Sequence, residues 1–307
     1  EIKYAKLVLE PIKVDINAKE IFGHFKNVLF ISSTIDKKLF CEEMGLPSDE
    51  VEFIRASTDH GSRLNQDFAD GTESYDDPSN PIPVERRLVY YGSGHQVKKY
   101  DTEHLRQSMK VISDKIKKIL HQYPNKKGII LTNSYRDQNR IVSELANSDL
   151  SERLTKLEGK SESKNNEKSK EEEEESKEKS NEFLLEKHKS KPNSVLISPS
   201  MWQGIDLKGD EGEFVIIATA PFIPKSPKRE KRIAKKIQLA GNNEWWLMRC
   251  AFKLMQGVGR CSRSKDDYSR TYILDDGFCE EGNSNLLEWL ENNHPELPDA
   301  FVKPLPL

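Results

Sequence analysis

What most constrains this chain is a set of short aliphatic and β-branched runs that lack polar alternation. Val215-Ile216-Ile217-Ala218 is apolar at every position, whereas a strand with one wet face alternates polar and apolar side chains. A strand buried on both faces belongs in the middle of a sheet covered by helices. Runs that read as strands occupy Val28–Ser32, Val51–Arg55, Arg87–Tyr91, Gly128–Thr132, Ser194–Ser198, Phe214–Thr219 and Thr271–Leu274. Helical spacing marks Lys37–Met44, Glu103–Tyr123, Arg136–Ala146, Phe183–Lys189, Pro227–Leu239 and Asn243–Arg263. Such alternation predicts an α/β domain built on a parallel sheet flanked by helices.

Two segments interrupt that pattern. Residues 57–83 are rich in Asp, Ser, Gly and Pro and read as a long loop. Residues 158–182 hold ten Glu, six Lys and no apolar side chain. Such a tract has no apolar surface to bury, so it is expected to be disordered. Its net charge of −4 exceeds the −3 of the whole chain, so the overall acidity says little about partners. One domain spanning 1–307, broken at 57–83 and 158–182, is the expected organisation. The four cysteines (Cys41, Cys250, Cys261 and Cys279) show no C-x-x-C spacing, which supports neither a zinc site nor an iron–sulfur cluster. They read as reduced thiols of a cytoplasmic protein, or a nuclear one in a eukaryote. No signal-peptide pattern is read in these residues and the apolar runs are strand-sized, so neither a secretory leader nor a membrane span is expected. A chain that opens at Glu1 without Met is expected to be a piece of a longer protein.

Arg249, Lys253, Gln256, Arg260 and Arg263 recur at spacings of four and three residues. That places them on one face of a helix, with Leu247, Ala251, Leu254, Val258 and Cys261 opposite. Gly257 and Gly259 each cost a helix about 1 kcal/mol relative to Ala, which implies close approach of something to its backbone. Gln256-Gly257-Val258-Gly259-Arg260-Cys261-Ser262-Arg263, followed by Asp267-Tyr268 and Ile273-Leu274-Asp275, resembles the last motif of superfamily 2 helicases of the XPD/DinG-like branch. The resemblance implies that Arg260 and Arg263, with Gln256, reach across a cleft to the phosphates of ATP held by a neighbouring domain. A planar, permanently charged guanidinium suits that task.

Other segments follow the family's order. Phe30-Ile31-Ser32-Ser33-Thr34-Ile35 resembles the motif coupling ATP state to DNA grip, through Ser33 and Thr34; those hydroxyls could equally cap a helix. Gly128–Tyr135 is similar to the fourth motif, in which Ser134 would hold a phosphate and Tyr135 stack on a base; a capped helix start fits as well. Ser200-Met201-Trp202-Gln203-Gly204-Ile205-Asp206 resembles the fifth, with Gly204 admitting a ligand and Asp206 beside it, although Gln203 stands where Glu is usual. Gly259 and Asp267 complete the implied ATP-coupling set. Lys228, Arg229, Arg232, Lys235 and Lys236 form a cationic run with one acid, Glu230, among them; such self-repulsion suits contact with nucleic-acid phosphates.

The resemblance therefore implies a RecA-like second motor domain of a P-loop NTPase-type helicase, without a P-loop of its own. It implies an ATP-dependent enzyme moving 5′ to 3′ on single-stranded DNA, inactive as this piece alone. ATP and Mg²⁺ would be held by an N-terminal motor domain of the same protein. Gly159-Lys160-Ser161 lacks the earlier Gly and strand of a P-loop. Gly92-Ser93-Gly94 has Val97 at the third Gly position of a dinucleotide fingerprint, which leaves a Rossmann-type nucleotide enzyme as one alternative. A nucleic-acid-binding or regulatory module with a motor fold and no ATPase activity is the other.

Overall fold

A computed structural model of the chain describes residues 15–30, 37–52, 82–97, 102–156, 170–202, 204–205, 207–223, 243–262, 266–279, 285–295 and 298–306. The chain divides into two compact units, residues 1–79 with 224–246 and residues 80–223 with 247–307. In the first unit, helices α1 (Asp15–Phe22) and α2 (Lys37–Met44) are described. Phe30 packs edge-on against Phe22 and Phe40, with ring centroids at 5.3 and 4.7 Å. Val28–Phe30 and Val51–Glu52 are not in strands, contrary to expectation. The rest of those two runs, most of the 57–83 segment and the helix expected at Pro227–Leu239 lie outside the described residues.

The second unit is a seven-stranded sheet. Its strands are β1 (Val89–Tyr90), β2 (Gly128–Leu131), β3 (Leu154–Thr155), β4 (Val195–Ser198), β5 (Phe214–Ile217), β6 (Arg270–Ile273) and β7 (Phe301–Val302). They lie in the order β3-β4-β2-β5-β6-β1-β7, and every neighbouring pair is parallel. The helices are α3 (Thr102–Gln122), α4 (Tyr135–Leu145), α5 (Lys170–Ser190), α6 (Glu244–Val258, whose first three residues count with the other unit) and α7 (Leu286–Asn293). Every residue of β2, β4 and β5 is buried, as strands apolar on both faces require. Ile112 and Ile116 of α3 and Ile141 of α4 pack with Ile130, Ile197 and Ile216 of the sheet in one apolar cluster.

The charged tract departs from expectation. Helix α5 starts at Lys170, inside the segment expected to be disordered, and residues 157–169 lie outside the described ones. Glu and Lys are strong helix formers. The run of acids near its start, with Lys187, His188 and Lys189 in its last turn, matches the helix dipole. Leu184 and His188 are buried and anchor its far end. His188 Nε2 lies 2.7 Å from the Glu211 carbonyl, which only accepts, so Nε2 carries the proton. Nδ1 then accepts from the Ser194 hydroxyl at 2.9 Å, and Ser194 Oγ accepts from Thr155 at 2.8 Å. Nearby, the buried Arg153 donates to the carbonyls of Leu120, Tyr123, Lys126 and Asn193 at 2.8–3.0 Å. It thereby closes the carboxyl end of α3, whose last carbonyls lack partners within the helix.

Candidate functional site

All strands being parallel, the segments after β2, β4, β5 and β6 emerge on one edge, where ligands of open α/β sheets bind. Asn133, just past β2, ties these segments together. Its backbone N–H donates to Thr219 Oγ1 at 3.1 Å, and its amide donates to the carbonyls of Ala220 (3.3 Å) and Phe222 (2.6 Å). Its amide oxygen accepts from Lys253 Nζ of α6 at 3.0 Å. That ammonium also lies 4.8 Å from the centroid of the Trp202 ring, and Trp202 donates its indole N–H to the Thr132 carbonyl at 2.8 Å. Lys253 is therefore engaged inside the edge rather than presented on an open face.

Gly257 makes this packing possible. A Cβ there would lie 2.7 and 2.8 Å from carbons of the Trp202 ring. The close approach that the two glycines imply is, at Gly257, that of an indole from the same chain. At Gly259 and at Gly204, whose φ is +76°, a Cβ would meet nothing within 4 Å among the described residues.

Helix α6 ends at Val258 and passes into a single 3₁₀ turn, Gly259–Cys261. The continuous helical face expected to run to Arg263 is thus broken after Gln256. The tighter turn swings Arg260 inward: it is 6% exposed, donating from Nε to the Gln256 carbonyl at 2.9 Å and from Nη1 to the Ile205 carbonyl at 2.7 Å. Leu247 and Val258 are half-buried instead of forming the apolar stripe, whereas Ala251, Leu254 and Cys261 are buried as expected. Burial pushes the Cys250 thiol up to about 12.

Ser134 is the N-cap of α4, its hydroxyl accepting from the Asp137 N–H at 3.1 Å, and Tyr135 beside it is exposed. Gln256 and Asp267 are half-buried. Ser33, Thr34, Asp206, Arg263, Lys228, Arg229, Arg232, Lys235 and Lys236 lie outside the described residues.

The loop after β1 answers the dinucleotide alternative. Gly92 and Gly94 adopt φ of +78° and +71°. The N–H groups of Ser93, Gly94 and His95 converge on the Asp276 carboxylate at 2.9, 2.6 and 3.1 Å. This anion cradle is filled by the chain's own side chain. Asp275 similarly accepts from the N–H groups of Ala220 (2.8 Å), Val97 (3.0 Å) and Gly277 (3.1 Å). Sequence reasoning missed the roles of Asn133, Lys253 and Asp276. For Asp276 the pair of glycines ahead of α3 was the available signal.

Residues 116–293, more than half of the chain, match the family described as Helicase C-terminal domain, and the chain belongs to it, in its XPD/DinG-like branch. The ATP-dependent DNA helicase DinG of Photobacterium profundum is 36% identical over 100 residues, 30% of this chain and 14% of that protein. The ATP-dependent DNA helicase YoaA of Escherichia coli (strain K12) is 35% identical over 97 residues, 30% of this chain and 15% of that protein. The matched stretch thus spans a small part of either relative. A solved structure, XPD_APO, aligns with 68% of this chain and 38% of its own at 19% identity and a TM-score of 0.45. Among the described residues, no helix is long and apolar enough to cross a membrane.

Proposed function

We propose that this chain is the second motor domain of an ATP-dependent DNA helicase moving 5′ to 3′ on single-stranded DNA. It would work on ATP and Mg²⁺ held by a first motor domain of the same protein. The supporting observation is the bond from Arg260 to the Ile205 carbonyl, which ties the glycine-bearing Arg segment to the Gly204 loop at the ligand edge. ATP with Mg²⁺, when bound, supplies the phosphoryl group whose transfer drives movement. Gly204 and Gly259, where an added Cβ meets nothing within 4 Å among the described residues, would let that group approach the backbone. Arg263 delivers a guanidinium to it, and Arg260 acts as a positioning residue that fixes the loop bearing Gly204 and Asp206. Gln256, Ser33, Thr34 and Asp267 couple nucleotide state to the rest of the domain. On the DNA side, the exposed ring of Tyr135 next to Ser134 is a stacking surface, and Lys228, Arg229, Arg232, Lys235 and Lys236 take phosphates. Leu29 is 81% exposed within Val28-Leu29-Phe30, apolar surface of the kind a first motor domain would cover.

The test is Arg263→Ala in the whole protein. DNA-stimulated ATP hydrolysis should fall on the order of 10³-fold or more, with single-stranded DNA affinity retained and no rescue by Lys, which lacks the planar fork. Surviving turnover with lost DNA affinity would move Arg263 to the DNA path and refute the assignment.

A further inference from the structure

Away from the edge loops, a cleft of about 740 Å³ opens between α3 and α4. Arg106, Arg136, Arg140, Glu103, Glu144 and Met109 are among its lining residues. Helix α3 leads into β2 and α4 leaves it, so both helices start at the carboxyl edge of the sheet and run back along it. The cleft therefore begins at the ligand edge, where Tyr135 precedes Arg136. On α4, Arg136 and Arg140 are one turn apart and share a face, a like-charge pair that costs stability unless an anion lies between them. Arg140 Nη1 is buried and has no hydrogen-bond partner among the described residues, although a buried guanidinium N–H ordinarily finds an acceptor. Glu103, on α3, accepts from Gln107 Nε2 at 3.1 Å. Arg106, one turn into α3, is exposed.

We infer that this cleft is a second binding site for the phosphodiester backbone of single-stranded nucleic acid, with Arg106, Arg136 and Arg140 taking phosphate oxygens. The inference rests on the DNA reading above and adds a path distinct from the Lys228–Lys236 run. Guanidiniums match phosphate in a two-pronged geometry, and a base stacked on Tyr135 would lead its backbone into the cleft at Arg136. Glu103 and Glu144 reduce the net positive charge, which makes the contact weaker and more readily released than a purely basic groove.

The experiment measures binding of a fluorescent oligothymidylate to the whole protein as a function of salt. Arg106→Gln with Arg136→Gln should lower the log–log salt slope by about 1.4, and adding Arg140→Gln should bring the loss to about 2. ATP hydrolysis without DNA should be unchanged. Because Arg106 and Arg136 are exposed, the double variant should keep its thermal midpoint, and Arg140→Lys retains the charge at the half-buried position. An unchanged slope in the double variant, while charge reversal at Lys228, Arg232 and Lys235 weakens binding, overturns the cleft and leaves the DNA reading standing. No oligothymidylate binding by the unaltered protein overturns both. Arginine-dependent binding of polyglutamate, with oligothymidylate binding unaffected, would assign the cleft to an acidic peptide and overturn the inference.

Discussion

Arg260→Ala should destabilise the sheet unit as well as impair turnover, and the size of the loss follows from the two carbonyls involved. The guanidinium donates at 2.9 Å to Gln256 and at 2.7 Å to Ile205, with the side chain 6% exposed. Hydrogen bonds from a charged donor contribute about 1.5–3 kcal/mol each, and a buried carbonyl left alone costs about 1–3 kcal/mol. Relief from desolvating the guanidinium offsets part of this, and the contributions are not additive because both bonds share one group. A net loss of about 2–4 kcal/mol results. With a urea dependence of about 2 kcal/mol/M, the unfolding midpoint should fall by roughly 1–2 M. Arg260→Lys should recover little, since one ammonium cannot span both acceptors. The exposed Arg249, replaced by Ala, is the control and should stay within about 0.5 kcal/mol. A midpoint for Arg260→Ala indistinguishable from that control would refute the inward placement of Arg260 and return it to an open face.

Two further outcomes follow from the same packing. Gly257→Ala adds a methyl 2.7 Å from the Trp202 ring and 3.1 Å from Leu131; overpacking of about 1–3 kcal/mol should outweigh the helix gain of about 1 kcal/mol, and a raised melting temperature would show that the indole lies elsewhere. Burial holds the His188 imidazole below its ordinary range, so the unfolded chain binds its proton more readily. Stability should therefore be level above the ordinary histidine range and fall as pH drops through about 6.5, a slope that His188→Gln should reduce in urea midpoints taken between about pH 7.5 and 5.

How much of this was legible in the sequence depended on whether the determining contact was local. Strands β2, β4, β5 and β6 were readable because burial on both faces writes itself into consecutive residues. Strands β3 and β7 have only two residues each, too few to show a period. Helix α7 was missed although its signal was present: Asn285 accepts from the Glu288 N–H at 3.0 Å, and Leu286, Leu287 and Leu290 are buried. Arg260 illustrates the opposite limit. Its residue type and spacing identified a special position, but its direction depends on where α6 yields to a 3₁₀ turn and on a carbonyl contributed by residue 205. The nest around Asp276 is likewise invisible locally, because donors and acceptor are separated by about 180 residues.

Asn133 has consequences for how force can pass through the domain. With the donors and acceptor of its side-chain amide and its backbone N–H all committed, Asn133 leaves its four partners no independent freedom. The segments following β2 and β5, the indole of Trp202 and the middle of α6 form a single knot at the sheet edge. Pushing on any one of them displaces the others or breaks several bonds together. A domain built on such an edge behaves as a stiff lever, with its compliance confined to segments outside that knot.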